Sequence, residues 1–326
     1  MLLDPNQARA LLRRAVEEKF ALLAVNADSH AAVTDCLEAA RECAAPIIIE
    51  TSLWQLTGRS YGSGDPILGL ARYLADLTAL AASERFRDVP VIFHTDHIKG
   101  QDTIRILSVA IRGVPQRAST ISLDSSEMSE EENIAHICKL CEIAGDADVP
   151  LTLEMEAGVD AGVTEIEVAD RLLGAVESRF PGYLALWAPG VGTQHGLSDK
   201  GYPFSPEAVA RHQRRASEIC GRPIGLALHG SSGLAESDLA AGVAAGVAKV
   251  NWSSESLLLR SQAAQEYYAV HTAELAKTHP RWKATAMDNG VQTFVSARYL
   301  PKVMARIRVL GGEGRAGRDH VGKPAE

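Results

Sequence analysis

In Val91-Ile92-Phe93-His94-Thr95-Asp96-His97, β-forming, mostly apolar residues run straight into two imidazoles and a carboxylate. That is the pattern of a buried strand whose C-terminal end carries a reactive site. His97 has the chemistry of a metal ligand. Asp96 could carry a proton, either on the opposite face by strand alternation or turned by the loop that follows. His94 would face the interior or back the site. A single strand-end histidine is more often a hydrogen-bonded rim residue than a ligand, so the reading turns on whether other strands repeat the arrangement.

Outward from this stretch, strand-like segments at 20–27, 46–51, 90–96, 120–125, 150–156, 183–188, 224–230 and 248–253 alternate with helix-like ones at 30–45, 65–83, 101–111, 129–144, 165–178, 206–220, 235–245 and 255–277. Short apolar strands, each followed by a helix, predict an α/β chain folded as a parallel (β/α)8 TIM barrel, with an open doubly wound sheet as the competing topology. The expected layout is a single domain over 1–326: an N-terminal helix at 6–19 against the barrel bottom, a barrel over about 20–277, and a C-terminal helical extension over about 278–326 with its helix at 295–310. Residues 54–65 read as a Gly-rich loop on the active face.

Composition narrows the function classes. A chain of 326 residues, 46 % hydrophobic and 23 % charged, can bury a large core, and its formal charge of −8 argues against general nucleic-acid binding. No apolar run reaches membrane-spanning length. Five cysteines without a secretory pattern fit a reduced, cytoplasmic setting. Cys138 and Cys141 have C-x-x-C spacing, but they lie within an amphipathic helix and no second pair follows, so they read as buried thiols.

A barrel demands that functional residues sit at strand C-terminal ends. Asn26, Thr51 with Ser52, Asp96 with His97, Asp124, Glu154 with Glu156, His195, His229 and Asn251 meet that demand strand by strand. Three histidines on three loops, His97, His195 and His229, could converge on one ion, the donor set of catalytic zinc with Zn–N bonds near ~2.1 Å. Gly190-Val191-Gly192-Thr193-Gln194-His195-Gly196, His229-Gly230-Ser231-Ser232-Gly233 and Asn251-Trp252-Ser253-Ser254 offer backbone N–H groups and hydroxyls where barrels of this kind hold phosphate.

The motifs His94-Thr95-Asp96-His97, Leu153-Glu154-Met155-Glu156, Gly192-Thr193-Gln194-His195-Gly196, His229-Gly230-Ser231-Ser232-Gly233 and Lys249-Val250-Asn251 resemble, in order over about residues 6–312, those of the class II, metal-dependent ketose-bisphosphate aldolases. The resemblance implies a zinc-type divalent ion on His97, His195 and His229, with Asp96 as the proton-transfer residue. It places Asp124 and Glu156 near an alternative metal position, with Glu154 in support. It implies a sugar-phosphate substrate whose phosphate meets Gly196, Gly230, Ser232 and Ser254, a monovalent cation (Na⁺ or K⁺) nearby, and Asn251 on the bound triose. Asn26, Ser52, Ser231 and Ser253 complete the candidate substrate-binding set. A homo-oligomer, dimer or tetramer, is also implied. Lys249 then supports the site structurally or electrostatically, and no Schiff-base lysine is needed.

The sequence departs from the family pattern at Ser231, where glycine is usual, and at Ser253, where aspartate is common. It departs again at Ala157-Gly158 and in the loop at 53–64. The acidic pair of the mobile loop is absent, with Asp160 or Glu165 in position to replace it. The expected reaction is reversible cleavage of a ketose phosphate such as fructose 1,6-bisphosphate to dihydroxyacetone phosphate and an aldehyde. Rival readings are a related aldolase with a different donor or acceptor, a metal-dependent barrel hydrolase, and a non-catalytic phosphate-binding relative.

Overall fold

The structure, a computed structural model, describes residues 1–113, 116–158, 162–197 and 203–317. Its eight strands are β1 Leu22–Asn26, β2 Ile47–Thr51, β3 Val91–Ile98, β4 Thr120–Leu123, β5 Leu153–Glu156, β6 Leu184–Ala188, β7 Gly225–Leu228 and β8 Val247–Trp252. They pair in parallel and in chain order, and β8 closes on β1. The barrel expected from the alternation is therefore the fold. Almost every strand residue is buried, as a sheet covered on both faces requires, and this is why the strands read as continuous Val, Ile and Leu runs.

Alternation divides the apolar residues between two cores. Leu23, Val25, Ile47, Ile49, Val91 and Phe93 face the surrounding helices. Leu22, Ala24, Ile48 and Ile92 face inward with Ala227 and Ala248, and the first helix, α1 Pro5–Glu18, packs Leu11, Leu12 and Ala15 against this inner set. Asp4 and Gln7 form a capping box that starts α1, with Pro5 in its first turn. Ser119 donates to the Leu3 carbonyl at 2.6 Å and Thr152 to the Pro5 carbonyl at 2.7 Å, which fixes α1 beneath the barrel.

Above the apolar layer the register sets polar residues side by side: Asn26 pairs with Glu50, Glu50 with His94, and His94 with Thr120. This polar storey is the floor of the site.

The helices after β1 to β7 are α2 His30–Glu42, α3 Leu53–Thr57, α4 Pro66–Ala82, α5 Thr103–Arg112, α6 Glu130–Asp146, α7 Ile166–Arg179, α8 Pro206–Cys220 and α9 Glu236–Ala245. Helix α3 falls in the stretch read as a loop; Ser52 caps it and Gln55 returns the bond, a Ser-x-x-Gln signal hidden among the glycines that follow.

After β8 come α10 Ser254–His271, a 3₁₀ turn Thr272–Leu275, α11 Trp282–Ala286 and α12 Asp288–Val309. The sequence carried α10 to 277 and began the last helix at 295. In the fold α10 stops at His271 and α12 starts at Asp288; within α12, Gly290 lies where a Cβ would stand 2.6 Å from the Tyr267 hydroxyl. Tyr299, Val303 and Ile307 join the outer core, and Tyr299 stacks on Trp252 with ring centroids 5.8 Å apart.

Candidate active site at the barrel mouth

Strand alternation alone would send Asp96 and His97 to opposite faces. The backbone overrides it: His97 has a left-handed φ of 50°, and the pairing of β3 with β4 shifts register between Thr95 and Ile98. Both side chains consequently line the barrel mouth. Such a conformation in a non-glycine residue costs roughly 1–3 kcal/mol, and the contacts of His97 with His229 and Glu156 oppose its relaxation.

His97, His195 and His229 come together from three strand ends, with one ring nitrogen of each within 4.8 Å of the others. His229 Nδ1 lies 2.8 Å from His97 Nε2. The His195 ring, exposed at the mouth, is centred 4.9 Å from that of His97. Three imidazoles with a solvent-facing side are the donor chemistry of a catalytic divalent transition metal, so the residues present fit such an ion.

Beneath them, His229 Nε2 is 2.7 Å from Glu154 Oε1, and Lys249 Nζ donates to Glu154 Oε2 at 2.9 Å. Burial opposes a charge on Glu154, but Lys249 and the hydrogen bond with His229 overcome it and hold the carboxyl well below the usual range. An ionised carboxylate only accepts, so the proton sits on His229 Nε2 and the Nδ1 lone pair is left for an ion. His94 Nδ1 lies 2.8 Å from the Thr120 hydroxyl, and burial, helped by Lys249, pushes His94 down to about 3. It backs the site as a neutral ring.

Asp96 is held from both sides. Asn26 Nδ2 donates to one carboxylate oxygen and Asn251 Nδ2 to the other, each at 3.0 Å. Burial works against its charge, while His97 and Lys249 outweigh that and keep Asp96 ionised far below the ordinary range. Glu156 Oε2 lies 3.2 Å from His97 Nδ1 and joins Asp96, His97 and His229 in a second set whose ligand atoms lie within 4.8 Å of one another. Asp124 lies outside both sets; it accepts from the Ser126 N–H at 2.9 Å and faces Lys99 at 3.4 Å.

A cavity of about 720 Å³ opens over these groups. Asn26, Ser52, Asp124, Glu156, His195 and Gly196 line it together with Gly230, Ser231, Ser232, Asn251, Ser253 and Ser254. Glu154, His94 and His229 are buried below. Gly230 has φ 65°, and a Cβ there would stand 2.5 Å from the Gln194 carbonyl oxygen. Thr193 donates to the His229 carbonyl at 2.8 Å, so the loops after β6 and β7 are locked together. The Ser231 hydroxyl donates to the Asn251 carbonyl, and Ser232 Oγ accepts from the Glu255 N–H at 3.2 Å.

Glu165 is exposed at the start of α7, and Asp160 lies outside the described residues. Sequence reasoning missed four groups. Lys99, Trp54 and Ser126 line the cavity, and Glu50 lies buried beneath Asp96. A carboxylate closing Ile47-Ile48-Ile49 was the one available signal for Glu50.

Comparison with known proteins agrees with this geometry. The family described as class II fructose-bisphosphate aldolase matches residues 6–309. The fructose-bisphosphate aldolase of Saccharomyces cerevisiae is 31 % identical over 276 residues, covering 75 % of each chain. That of Streptococcus pyogenes serotype M1 is 26 % identical over 83 % of this chain and 86 % of its own. Among solved structures, fructose-bisphosphate aldolase from Campylobacter jejuni superposes with a TM-score of 0.80 at 22 % identity, over 96 % of both chains. The YdjI aldolase from Escherichia coli K12 gives 0.72 at 20 % identity, over 97 % of this chain and 100 % of its own. The chain therefore belongs to the class II fructose-bisphosphate aldolase family. It is an aldolase, a carbon–carbon lyase of a metal-dependent class. Among the described residues no helix is long and apolar enough to cross a membrane.

Proposed function

We propose that the protein is a zinc-dependent class II aldolase that reversibly cleaves a ketose phosphate, with fructose 1,6-bisphosphate as the leading substrate, to dihydroxyacetone phosphate and an aldehyde. The observation that carries this reading is the meeting of three imidazoles within 4.8 Å beside a carboxylate fixed by two amides. His97, His195 and His229 would hold the ion, with Glu156, and Asp124 at the rim, near an alternative position. When bound, the ion supplies Lewis-acid stabilisation, worth several kcal/mol, to the charge that develops at the ketone.

The chain's own groups do the rest. Asp96 takes the proton of the C4 hydroxyl in cleavage and returns it in condensation. Its two amide donors keep it aimed, and Asn251 also reaches the triose. The N–H groups and hydroxyls around Gly196, Gly230, Ser232, Ser253 and Ser254 receive the phosphate, with a monovalent cation alongside. Asn26 and Ser52 border the acceptor side. Lys249 is engaged by carboxylates rather than free to form a Schiff base.

Activity lost in chelator and restored by Zn²⁺ or Co²⁺ tests the reading; full activity in chelator that borohydride abolishes would overturn it. A second reading, an aldolase of different acceptor, is favoured by Trp54, which lines the cavity rim and is 85 % exposed. A panel of aldehydes offered with dihydroxyacetone phosphate separates the two.

The same proposal includes a single domain, a homo-oligomer and a cytoplasmic setting. The packing of α12 on the outer core supports the first. Exposed Val270 on α10, and Trp282 and Met287 on the C-terminal extension, support a dimer or tetramer. Five buried, unpaired thiols support a reducing compartment.

A further inference from the structure

Inside the barrel one ammonium faces three carboxylates. Lys249 Nζ is 2.9 Å from Glu154, 3.3 Å from Glu50 and 3.9 Å from Asp96. Two of the three are otherwise satisfied: Asp96 by Asn26 and Asn251, Glu154 by His229. Glu50 is not. It is fully buried, and neither of its oxygens has a hydrogen-bond partner. Lys249 is shared among all three, so the carboxylate with no other support is where a proton stays. The ligand atoms of Glu50, His94 and Asp96 also lie within 4.8 Å of one another, but Lys249 already stands against two of these three and fills the cationic role.

We propose that Glu50 is a positioning residue for the aldol reaction: as a neutral acid it leaves Lys249 on Glu154 and Asp96, and as a carboxylate it draws Lys249 away from both. Glu50 reaches the chemistry through other residues. Lys249 steadies the Glu154 oxygens that orient His229, and its charge adds to what keeps Asp96 a weak, ionised base. Withdrawing Lys249 loosens the His229 bond and changes the basicity of Asp96 together. The charged and titratable groups that face Glu50 are His94 and Asp96 on β3, Glu154 on β5 and Lys249 on β8. His94 is neutral, so it offers no second cation. Burial first, then the charge of Asp96, pushes Glu50 up to about 8 against the opposing pull of Lys249, which places the change of state just above neutrality.

This inference rests on the aldolase reading for its kinetic consequence and on geometry alone for the state of Glu50, and the two are tested separately. Infrared difference spectra of the metal-free parent, titrated from pH 6 to 10, should show a protonated-carboxyl band that disappears with a midpoint near pH 8. The same band should be missing from Glu50→Gln. A parent with no such band above pH 6 overturns the proposal whether or not the protein turns over a sugar phosphate. In the zinc-loaded enzyme, kcat should fall by about tenfold per pH unit above the same midpoint. That break should vanish in Glu50→Gln, with KM little affected. A Glu50→Gln enzyme whose kcat breaks at the parent's pH also overturns it. Glu50→Asp, which keeps the charge, should keep a break, and it serves if the glutamine variant does not fold.

Discussion

His229 donates its Nε2–H to Glu154 across 2.7 Å, and this one bond decides which imidazole nitrogen is left for an ion. Lys249, 2.9 Å from the other oxygen of Glu154, keeps that carboxylate ionised and therefore purely an acceptor. Glu154→Gln keeps the shape but can present an N–H instead of an oxygen. The expected result is a loss of about 10- to 100-fold in metal affinity, read by competition with a chromogenic chelator. Unchanged affinity would mean that Glu154 does not set the His229 tautomer.

Asp96→Asn removes charge with little change of volume. As the proposed proton carrier, its loss should lower kcat by about 10²- to 10⁴-fold while bound metal, measured by elemental analysis, stays at the parent's level. If activity and metal content fell in proportion, Asp96 would be supporting the ion rather than moving the proton.

The barrel was legible because its strands are buried on both faces, so apolar runs marked all eight, and the barrel rule made their C-terminal ends the place to look. His97 shows where that reading stops. Periodicity puts it opposite Asp96, and only a left-handed backbone with a register shift against β4 brings the pair to one mouth. Glu50 stayed hidden for another reason. One carboxylate at the end of an isoleucine run looks like any strand terminus, and its lack of partners is a property of neighbours from β3, β5 and β8 that no local pattern encodes. The start of α12 was missed because Gly290 weakens the helical signal in its first turn.

The pH dependence of stability follows from Glu50. Its folded-state value, raised to about 8, lies above the ordinary glutamate range. The folded chain thus holds a proton that the unfolded chain has released, and this contribution to stability is full below about pH 4.5 and lost as pH rises towards 8. Glu50→Gln carries no such proton. Its stability relative to the parent should increase steadily between those limits in urea titrations of the metal-free protein. A difference that does not vary with pH would mean that Glu50 is ionised throughout.

Gly230→Ala places a methyl group 2.5 Å from the Gln194 carbonyl oxygen, on a residue whose φ of 65° disfavours any side chain. The loops after β6 and β7 must then separate, and His195 and His229 stand on them. A destabilisation of roughly 1–3 kcal/mol is expected, seen as a lower Tm, together with weaker metal binding. Retention of both would show that the two loops move independently.

Ser231 stands where the family usually has glycine, and the fold gives its side chain a task away from the phosphate. The hydroxyl donates to the backbone carbonyl of Asn251, the residue whose amide holds Asp96. It therefore ties the loop after β7 to the end of β8. Ser231→Gly deletes a buried hydrogen bond worth about 0.5–1.5 kcal/mol and adds backbone freedom. The Tm should fall while the KM for a phosphorylated substrate stays within about twofold, a change under ~0.5 kcal/mol. A tenfold rise in KM at constant Tm would instead place the hydroxyl on the phosphate.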